Sequence, residues 1–184
     1  MKAKIQHEIQ EYCSLLKLNA ICEHFEEAIK SATDYEGFLH QLLRMEVDAE
    51  EERAKERKIK AAKFPYRKYI EDLELDLLPE AMRKWLPELC SLDFIRESKN
   101  IIMTGNPGTG KTHTAIGLGI KACEQGYRVL YTTIPYLVTE LKESNSQQKL
   151  RSYQKRFEKY DLIIADELGY ISFDREAADL LFTV

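Results

Sequence analysis

The segment Gly105-Asn106-Pro107-Gly108-Thr109-Gly110-Lys111-Thr112 matches the pattern G-x-x-x-x-G-K-[ST] at every fixed position. A phosphate chain requires several backbone N–H groups that point into one concavity, and glycine lets the backbone curl without a clash at Cβ. A following helix adds its unpaired N–H groups and the positive end of its dipole. We therefore predict a nucleotide-binding site over Gly105 to His113, with Lys111 on the outer phosphates and Thr112 as a ligand of Mg²⁺.

A second polar cluster follows the apolar run Leu162-Ile163-Ile164-Ala165, which is typical of a parallel strand buried on both faces. The run ends in Asp166 and Glu167. At the carboxyl end of a strand, Asp166 is predicted to hold the magnesium ion and Glu167 to polarise the water that attacks the γ-phosphate. The alternative is that the two acids only close a strand and begin a turn.

The identity of the base follows from an absence in the sequence. Asp166-Glu167-Leu168-Gly169 also fits the D-x-x-G signature of GTP-binding switch proteins. Those proteins recognise guanine through an Asn-Lys-x-Asp segment, and the sequence contains none. Adenine is therefore the predicted base, and ATP with Mg²⁺ the predicted ligand.

Composition favours a cytoplasmic protein of one domain with an appendage. The chain has 184 residues, of which 44% are hydrophobic. No run of consecutive apolar residues approaches the length that a membrane span requires. The N-terminal residues are too polar for a signal peptide, so none is expected. The four cysteines lack C-x-x-C spacing and the four histidines are scattered, so reduced thiols are expected and no Cys/His metal site.

Charge is distributed unevenly, although the net charge is only −4. The run from Glu46 to Glu52 is acidic, and between residues 53 and 68 Glu56 alone opposes a basic block. A local basic stripe attracts phosphate backbones, although such a block, taken alone, favours a solvated helix with ion pairs between its turns. The DNA hypothesis assigns phosphate contacts to Arg57, Lys58, Lys60, Lys63, Arg67 and Lys68.

The hydrophobic pattern divides the chain into three parts: a helical region over 1–63, a bridging helical segment over 64–98 and a nucleotide-binding core over 99–184. The first part has two short helices, with Asn19 as the cap of the second, and a long helix that Thr33 and Asp34 begin and Pro65 stops. Its apolar stripe comprises Phe38, Leu39, Leu42, Met45 and Ala49. The core alternates strand and helix, which implies a parallel sheet: strand 100–104, helix 111–125, strand 128–133, helices 135–143 and 147–159, strand 161–166 and a helix over 175–182.

Three segments together resemble the IstB-like ATP-binding proteins, the helper ATPases of one class of bacterial insertion sequence and relatives of the DnaC-type helicase loaders. They are LLRMEVDAEEERAKERKIKAAKFPYRKYIEDLELD, GNPGTGKTHTAIGLGIKACEQGYRVLYTT and DLIIADELGY. The charged helix that leads into Phe64-Pro65-Tyr66 and the run from Asp166 to Tyr170 make the match more specific than the phosphate loop alone.

The resemblance implies an AAA+ type P-loop NTPase that forms a homo-oligomer when full length and assembles on double-stranded DNA. Its partner would be a transposase, or a replicative helicase if the chain is a loader. It also implies that Lys111 and Thr112 serve phosphate and magnesium, Asp166 the metal and Glu167 hydrolysis. AAA+ proteins continue with a further strand and a trans-acting arginine, so we expect a C-terminally truncated core with weak or absent turnover.

Two other interpretations stay open. A helicase loader shares the core, but some loaders carry an N-terminal Cys/His zinc site and none is visible here. A catalytically dead nucleotide-binding remnant would bind ATP without hydrolysis. Co-purification of a transposase or of a hexameric helicase would separate the transposition helper from the helicase loader.

Overall fold

The computed structural model describes residues 2–169 and 174–183. The chain separates into two compact units, Met1–Ala54 and Lys55–Val184. The predicted division into three parts stays a prediction. Within the described residues, no helix combines the length and the apolar run that crossing a membrane requires.

The first unit is helical, as the sequence predicts. It contains α1 (Lys2–Leu16), α2 (Asn19–Ser31) and the beginning of α3 (Tyr35–Ala61). The Asp34 carboxylate accepts a hydrogen bond of 2.7 Å from the Gly37 N–H and so caps α3. Phe25 and Ala28 of α2 pack with Leu42 of α3 in the core. The predicted apolar stripe of α3 is wrong at Leu39, which is 56% exposed.

The cap predicted for α2 is also wrong. The cap position is Leu18, without a side-chain hydrogen bond, and Asn19 is the first helical residue. The carboxylate of Glu46 on α3 instead accepts the Ile21 N–H at 3.1 Å. An acid from a neighbouring helix therefore satisfies a donor that local sequence reasoning assigned to Asn19.

The second unit has the mixed α/β architecture expected of a P-loop NTPase. Its strands β1 (Val129–Thr133) and β2 (Leu162–Asp166) are parallel, in register from Val129 with Leu162 to Thr133 with Asp166. Around them lie the remaining helices and two 3₁₀ turns of the bridging segment, Ile70–Asp72 and Leu75–Leu77. The helices are α4 (Glu80–Cys90), α5 (Asp93–Arg96), α6 (Lys111–Glu124), α7 (Ile134–Ser146), α8 (Leu150–Gln154) and α9 (Arg175–Leu181).

The core of this unit forms around α6. Its residues from Ile116 to Ala122 are almost entirely buried, because the helix packs against β1, β2 and the bridging segment. A Cβ at Gly119 would lie 2.6 Å from Ile164 of β2 and 2.8 Å from the Phe64 ring. Glycine at this position therefore allows the close helix–sheet contact that holds the start of α6 near the end of β2.

The strand predicted over 100–104 is wrong, since the structure assigns no strand there. A cavity of about 220 Å³ is lined both by Asn100, Ile101 and Met103 and by β2 from Leu162 to Asp166. The segment thus lies near β2 without forming ladder hydrogen bonds, and Ile102 is 82% exposed. An apolar run is sufficient to predict burial, but strand structure also requires a paired backbone.

The helix predicted over 147–159 is wrong as one continuous element. The Lys149 N–H closes the end of α7 by donating to the Ser144 carbonyl at 2.8 Å, and Gln148 adopts a φ of 58°. Only the short α8 and a 3₁₀ turn, Phe157–Lys159, follow before β2. A left-handed residue ends a helix even without glycine when the last carbonyls find partners in the turn.

Candidate functional site

The phosphate loop curls around the side chain of Lys111. Gly108 and Gly110 have φ angles of 80° and 81°, which a residue with a Cβ adopts only under strain. Lys111 Nζ donates hydrogen bonds to the carbonyls of Gly105 and Asn106 at 2.9 and 2.8 Å. The ammonium group therefore lies inside the curve of the loop, where the motif requires a positive charge for phosphate.

The bridging segment packs directly on the beginning of α6. A Cβ at Gly110 would lie only 2.7 Å from the end of the Leu78 side chain, so a larger residue at this position would require Leu78 to shift. His113 Nε2 lies 2.9 Å from the Tyr69 carbonyl oxygen. The predicted role of His113 toward a nucleotide stays a prediction, because the structure shows the ring holding the bridging segment.

The predicted metal ligands Thr112 and Asp166 are hydrogen-bonded to each other. Thr112 Oγ1 donates to Asp166 Oδ2 at 2.9 Å, although the two residues belong to α6 and β2. Asp166 is the last residue of β2, and α6 begins just before Thr112, so the two element ends meet at one point. The structure thus brings together the two motifs that the sequence places far apart.

Tyr131 is a site residue that the sequence analysis missed. Its buried hydroxyl donates to the same Asp166 Oδ2 at 2.9 Å. Burial raises the pKa of this phenol, and the hydrogen bond to the Asp166 carboxylate raises it further, so the group stays a donor near neutral pH. No motif marks Tyr131, and only the parallel pairing of β1 with β2 places it beside Asp166.

Glu167 occupies the first position after β2 in an uncommon backbone conformation. Its φ is 64°, and its N–H donates to Asp166 Oδ1 at 2.9 Å. The side chain is exposed. The left-handed turn directs the chain away from the strand immediately after Asp166, and the predicted role of Glu167 in hydrolysis stays a prediction.

The candidate metal ligands where α6 and β2 meet suit Mg²⁺ better than a transition metal. They are a hydroxyl and a carboxylate, hard oxygen ligands of the kind that Mg²⁺ takes together with phosphate oxygens and water. No group of three or more His, Cys, Asp or Glu able to hold a metal occurs among the described residues. A magnesium site here would therefore be completed by the phosphates of a nucleotide.

The basic block has two kinds of member. Arg67 forms two hydrogen bonds with the Glu56 carboxylate, at 3.0 and 2.6 Å, and Lys58 donates to the Gly126 carbonyl. These two cations serve the fold of the second unit. Lys60, Lys63 and Lys68 are exposed, and so is Arg57, which also has an interaction within the described part of the chain. The assignment of DNA contacts to the block stays a prediction.

Glycine loop, helix and acid-terminated parallel strand define the second unit as a P-loop nucleotide-binding domain. Comparison with protein families gives the particular family: the family model for IstB-like ATP binding proteins matches residues 13–184. The chain belongs to this family. The run from Asp166 to Tyr170, which made the resemblance more specific, ends in a residue, Tyr170, that lies outside the described residues.

Individual relatives agree with this assignment. A protein of Pseudomonas aeruginosa, named for insertion sequence IS21 and ATP binding, is 34% identical over 180 residues, which cover 96% of this chain and 68% of the relative. A protein of Geobacillus stearothermophilus, named for insertion sequence IS5376 and ATP binding, is also 34% identical, over 98% of this chain and 73% of its own length. A Bacteroides fragilis relative is 30% identical over 98% of this chain.

Proposed function

We propose that this protein binds ATP with Mg²⁺ at the phosphate loop and acts as a helper ATPase in the transposition of an insertion sequence. The observation that carries the proposal is the 2.9 Å hydrogen bond between Thr112 and Asp166, which unites the loop with the end of β2. The family and the names of the relatives support ATP binding and a link to insertion sequences.

Each group of the site has a task in this proposal. The loop N–H groups and Lys111 hold the phosphates, Thr112 and Asp166 hold the metal, and Glu167 orients the attacking water. Mg²⁺, when bound, supplies neutralisation of phosphate charge. Tyr131 fixes the carboxylate of Asp166, because its hydroxyl is buried and has that oxygen as its partner.

We propose that the protein assembles on double-stranded DNA as a homo-oligomer and presents target sites to a transposase. The exposed lysines of the basic block are the proposed phosphate contacts. Loading of a replicative helicase is the second candidate, because the IstB-like proteins that the sequence resembles are related to DnaC-type loaders.

Calorimetry with Mg·ATP tests the nucleotide site. The wild-type chain should release or absorb heat on binding, and Lys111→Ala should weaken binding at least tenfold because a charge on the outer phosphates is lost. Lys121→Ala is the matched control, since Lys121 lies on the same helix in its last turn and should leave affinity unchanged.

Two outcomes contradict the nucleotide proposal. Either the wild-type chain gives no heat, or Lys111→Ala and Lys121→Ala bind equally well. Titration in the presence of excess GTP checks the base, because easy displacement of ATP by GTP contradicts adenine recognition.

A further inference from the structure

A second cavity, of about 340 Å³, lies beside β1 in the second unit. Its volume is within the range of small-ligand sites, roughly 300–1,000 Å³. Among the described residues that line it, none belongs to the phosphate loop. We call it the tyrosine cavity and define it by six of its lining side chains: Lys63, Tyr136, Glu140, Tyr153, Arg156 and Tyr160.

The aromatic walls of the tyrosine cavity are held in place by the fold. The Tyr153 ring packs edge-on against Phe157, with centroids 5.4 Å apart, and Phe157 is buried. Tyr136 lies in the first turn of α7, where its N–H donates to Thr133 Oγ1 and Pro135 precedes it. Its side chain is 57% exposed. One half-buried and one accessible ring thus border the same space.

Two cationic side chains line the cavity together with these rings. The Arg156 guanidinium lies 5.1 Å from the centroid of the Tyr153 ring, a cation–π distance. Lys63, which follows α3 with a φ of 63°, adds a second cation. Within residues 2–169 and 174–183, neither cation forms an ion pair with a carboxylate. Both charges are therefore available to an anionic ligand.

One carboxylate, that of Glu140, also lines the cavity. Burial raises the pKa of the Tyr153 phenol, and the charge of Glu140 raises it further, which agrees with a carboxylate near that ring. Rings, cations and a single acceptor are the groups by which proteins bind an unpaired nucleobase: stacking on the face, charge on the phosphate and a hydrogen bond on the edge.

We propose that the tyrosine cavity binds a base of single-stranded DNA. The base stacks on Tyr136, its backbone phosphate contacts Lys63 and Arg156, and Glu140 accepts a hydrogen bond from an exocyclic amine. Cytosine, adenine and guanine carry such an amine and thymine does not, so the site disfavours thymine. The inference goes beyond the proposed function, which concerns double-stranded DNA. The cavity shares one lining residue, Tyr131, with the proposed metal site, because the Tyr131 hydroxyl donates to Asp166.

Fluorescence anisotropy with labelled dC, dA and dT oligonucleotides at low salt tests the inference. The wild-type chain should bind dC and dA oligonucleotides more tightly than dT. Tyr136→Ala should weaken binding about tenfold through loss of the stack, whereas Tyr136→Phe should retain it. Glu140→Gln should remove the preference over dT, because an amide offers both a donor and an acceptor.

A DNA duplex and Mg·ATP serve as the controls. Tyr136→Ala should leave affinity for both unchanged, because a paired base does not enter the cavity and no hydrogen bond among the described residues joins Tyr136 to the phosphate loop or to Asp166. The inference is overturned if the wild-type chain binds no single strand, if Tyr136→Phe loses as much affinity as Tyr136→Ala, or if duplex binding falls in parallel. Loss of ATP binding with Lys111→Ala and retention of the dC preference would separate the two sites.

Discussion

Asp166 receives three hydrogen bonds, and each comes from a different part of the second unit. Thr112 Oγ1 and the Tyr131 hydroxyl donate to Oδ2, and the Glu167 N–H donates to Oδ1, all at 2.9 Å. A carboxylate with this many donors has little rotational freedom. If Asp166 holds the metal as proposed, its orientation is set before the ion binds, which reduces the cost of assembling the site.

We predict that Tyr131→Phe lowers the Mg²⁺-dependent part of ATP affinity by a factor of about three to ten. The variant keeps the packed ring but removes one donor from Asp166, and a hydrogen bond of this kind contributes on the order of 1 kcal/mol. ATP titrations with Mg²⁺ and with EDTA measure the effect, which should be confined to the Mg²⁺ series.

The matched control is Tyr127→Phe. Tyr127 OH accepts a hydrogen bond from Arg96 at 3.2 Å and does not contact Asp166. It should leave both titration series unchanged. An equal loss of affinity with and without Mg²⁺ in Tyr131→Phe would show that the tyrosine supports the fold and not the metal site.

At the scale of elements, Glu46 links two helices of the first unit. Its side chain accepts the Ile21 N–H of α2 at 3.1 Å and the Arg53 guanidinium of α3 at 2.7 Å, and Glu46 is 9% exposed. Burial alone would raise the pKa of Glu46, but the hydrogen bonds from Arg53 and Ile21 outweigh it and lower the pKa. The ionised form is therefore the one that stabilises the fold.

We predict that Glu46→Gln lowers the free energy of unfolding by about 1–3 kcal/mol at pH 7. The pKa is lower in the folded state, so the contribution is fully present above the unfolded value of about 4.3 and is lost as pH falls through the folded value. Wild type and variant should therefore converge in acid. Urea unfolding followed by far-UV circular dichroism from pH 3 to 7 measures this.

Glu51→Gln is the control for that experiment, because Glu51 is exposed on the same helix. It should change stability little at any pH. A difference between Glu46→Gln and wild type that persists undiminished at pH 3 would contradict the assignment of the effect to the charge.

The elements also show what the sequence could predict. The phosphate loop, α6 and β2 follow from local spacing, since the loop chemistry and the apolar run each lie within a few residues. The cap of α2 and the donor Tyr131 were missed because both depend on contacts between segments distant in sequence. The prediction of a strand over 100–104 was wrong for the same reason. Strand pairing depends on two segments, and the apolar run of one segment does not show whether a partner is present.

At the scale of the whole molecule, the local distribution of charge matters more for the binding of a phosphate backbone than the net charge does. The chain is acidic overall, with a net charge of −4, yet Lys60 and Lys68 are exposed in the basic block. Arg67 and Lys58 have partners within the second unit. A phosphate backbone interacts with local charge within about one Debye length, roughly 8–10 Å at physiological salt, and not with the sum over the chain.

We predict that the double variant Lys60→Gln/Lys68→Gln flattens the salt dependence of duplex DNA binding by roughly 1.8 in the slope of log K against log salt, since each lost phosphate contact contributes about 0.9. Anisotropy titrations over a series of salt concentrations measure the slope. Lys17→Gln/Lys30→Gln makes the same change in net charge outside the block and should leave the slope unchanged. Equal slopes for the two double variants would exclude the block as the contact surface.

The contact between Leu78 and Gly110 connects the bridging segment to the predicted nucleotide site. Because there is no room for even one carbon atom between them, enlarging Leu78 would push on the backbone amides at the start of α6. Weak phosphate affinity would then result from a residue that bears no polar atom in its side chain and lies far upstream of the motif. A survey of inactive variants that inspected only the loop and the two acids would mistake such a substitution for a neutral one.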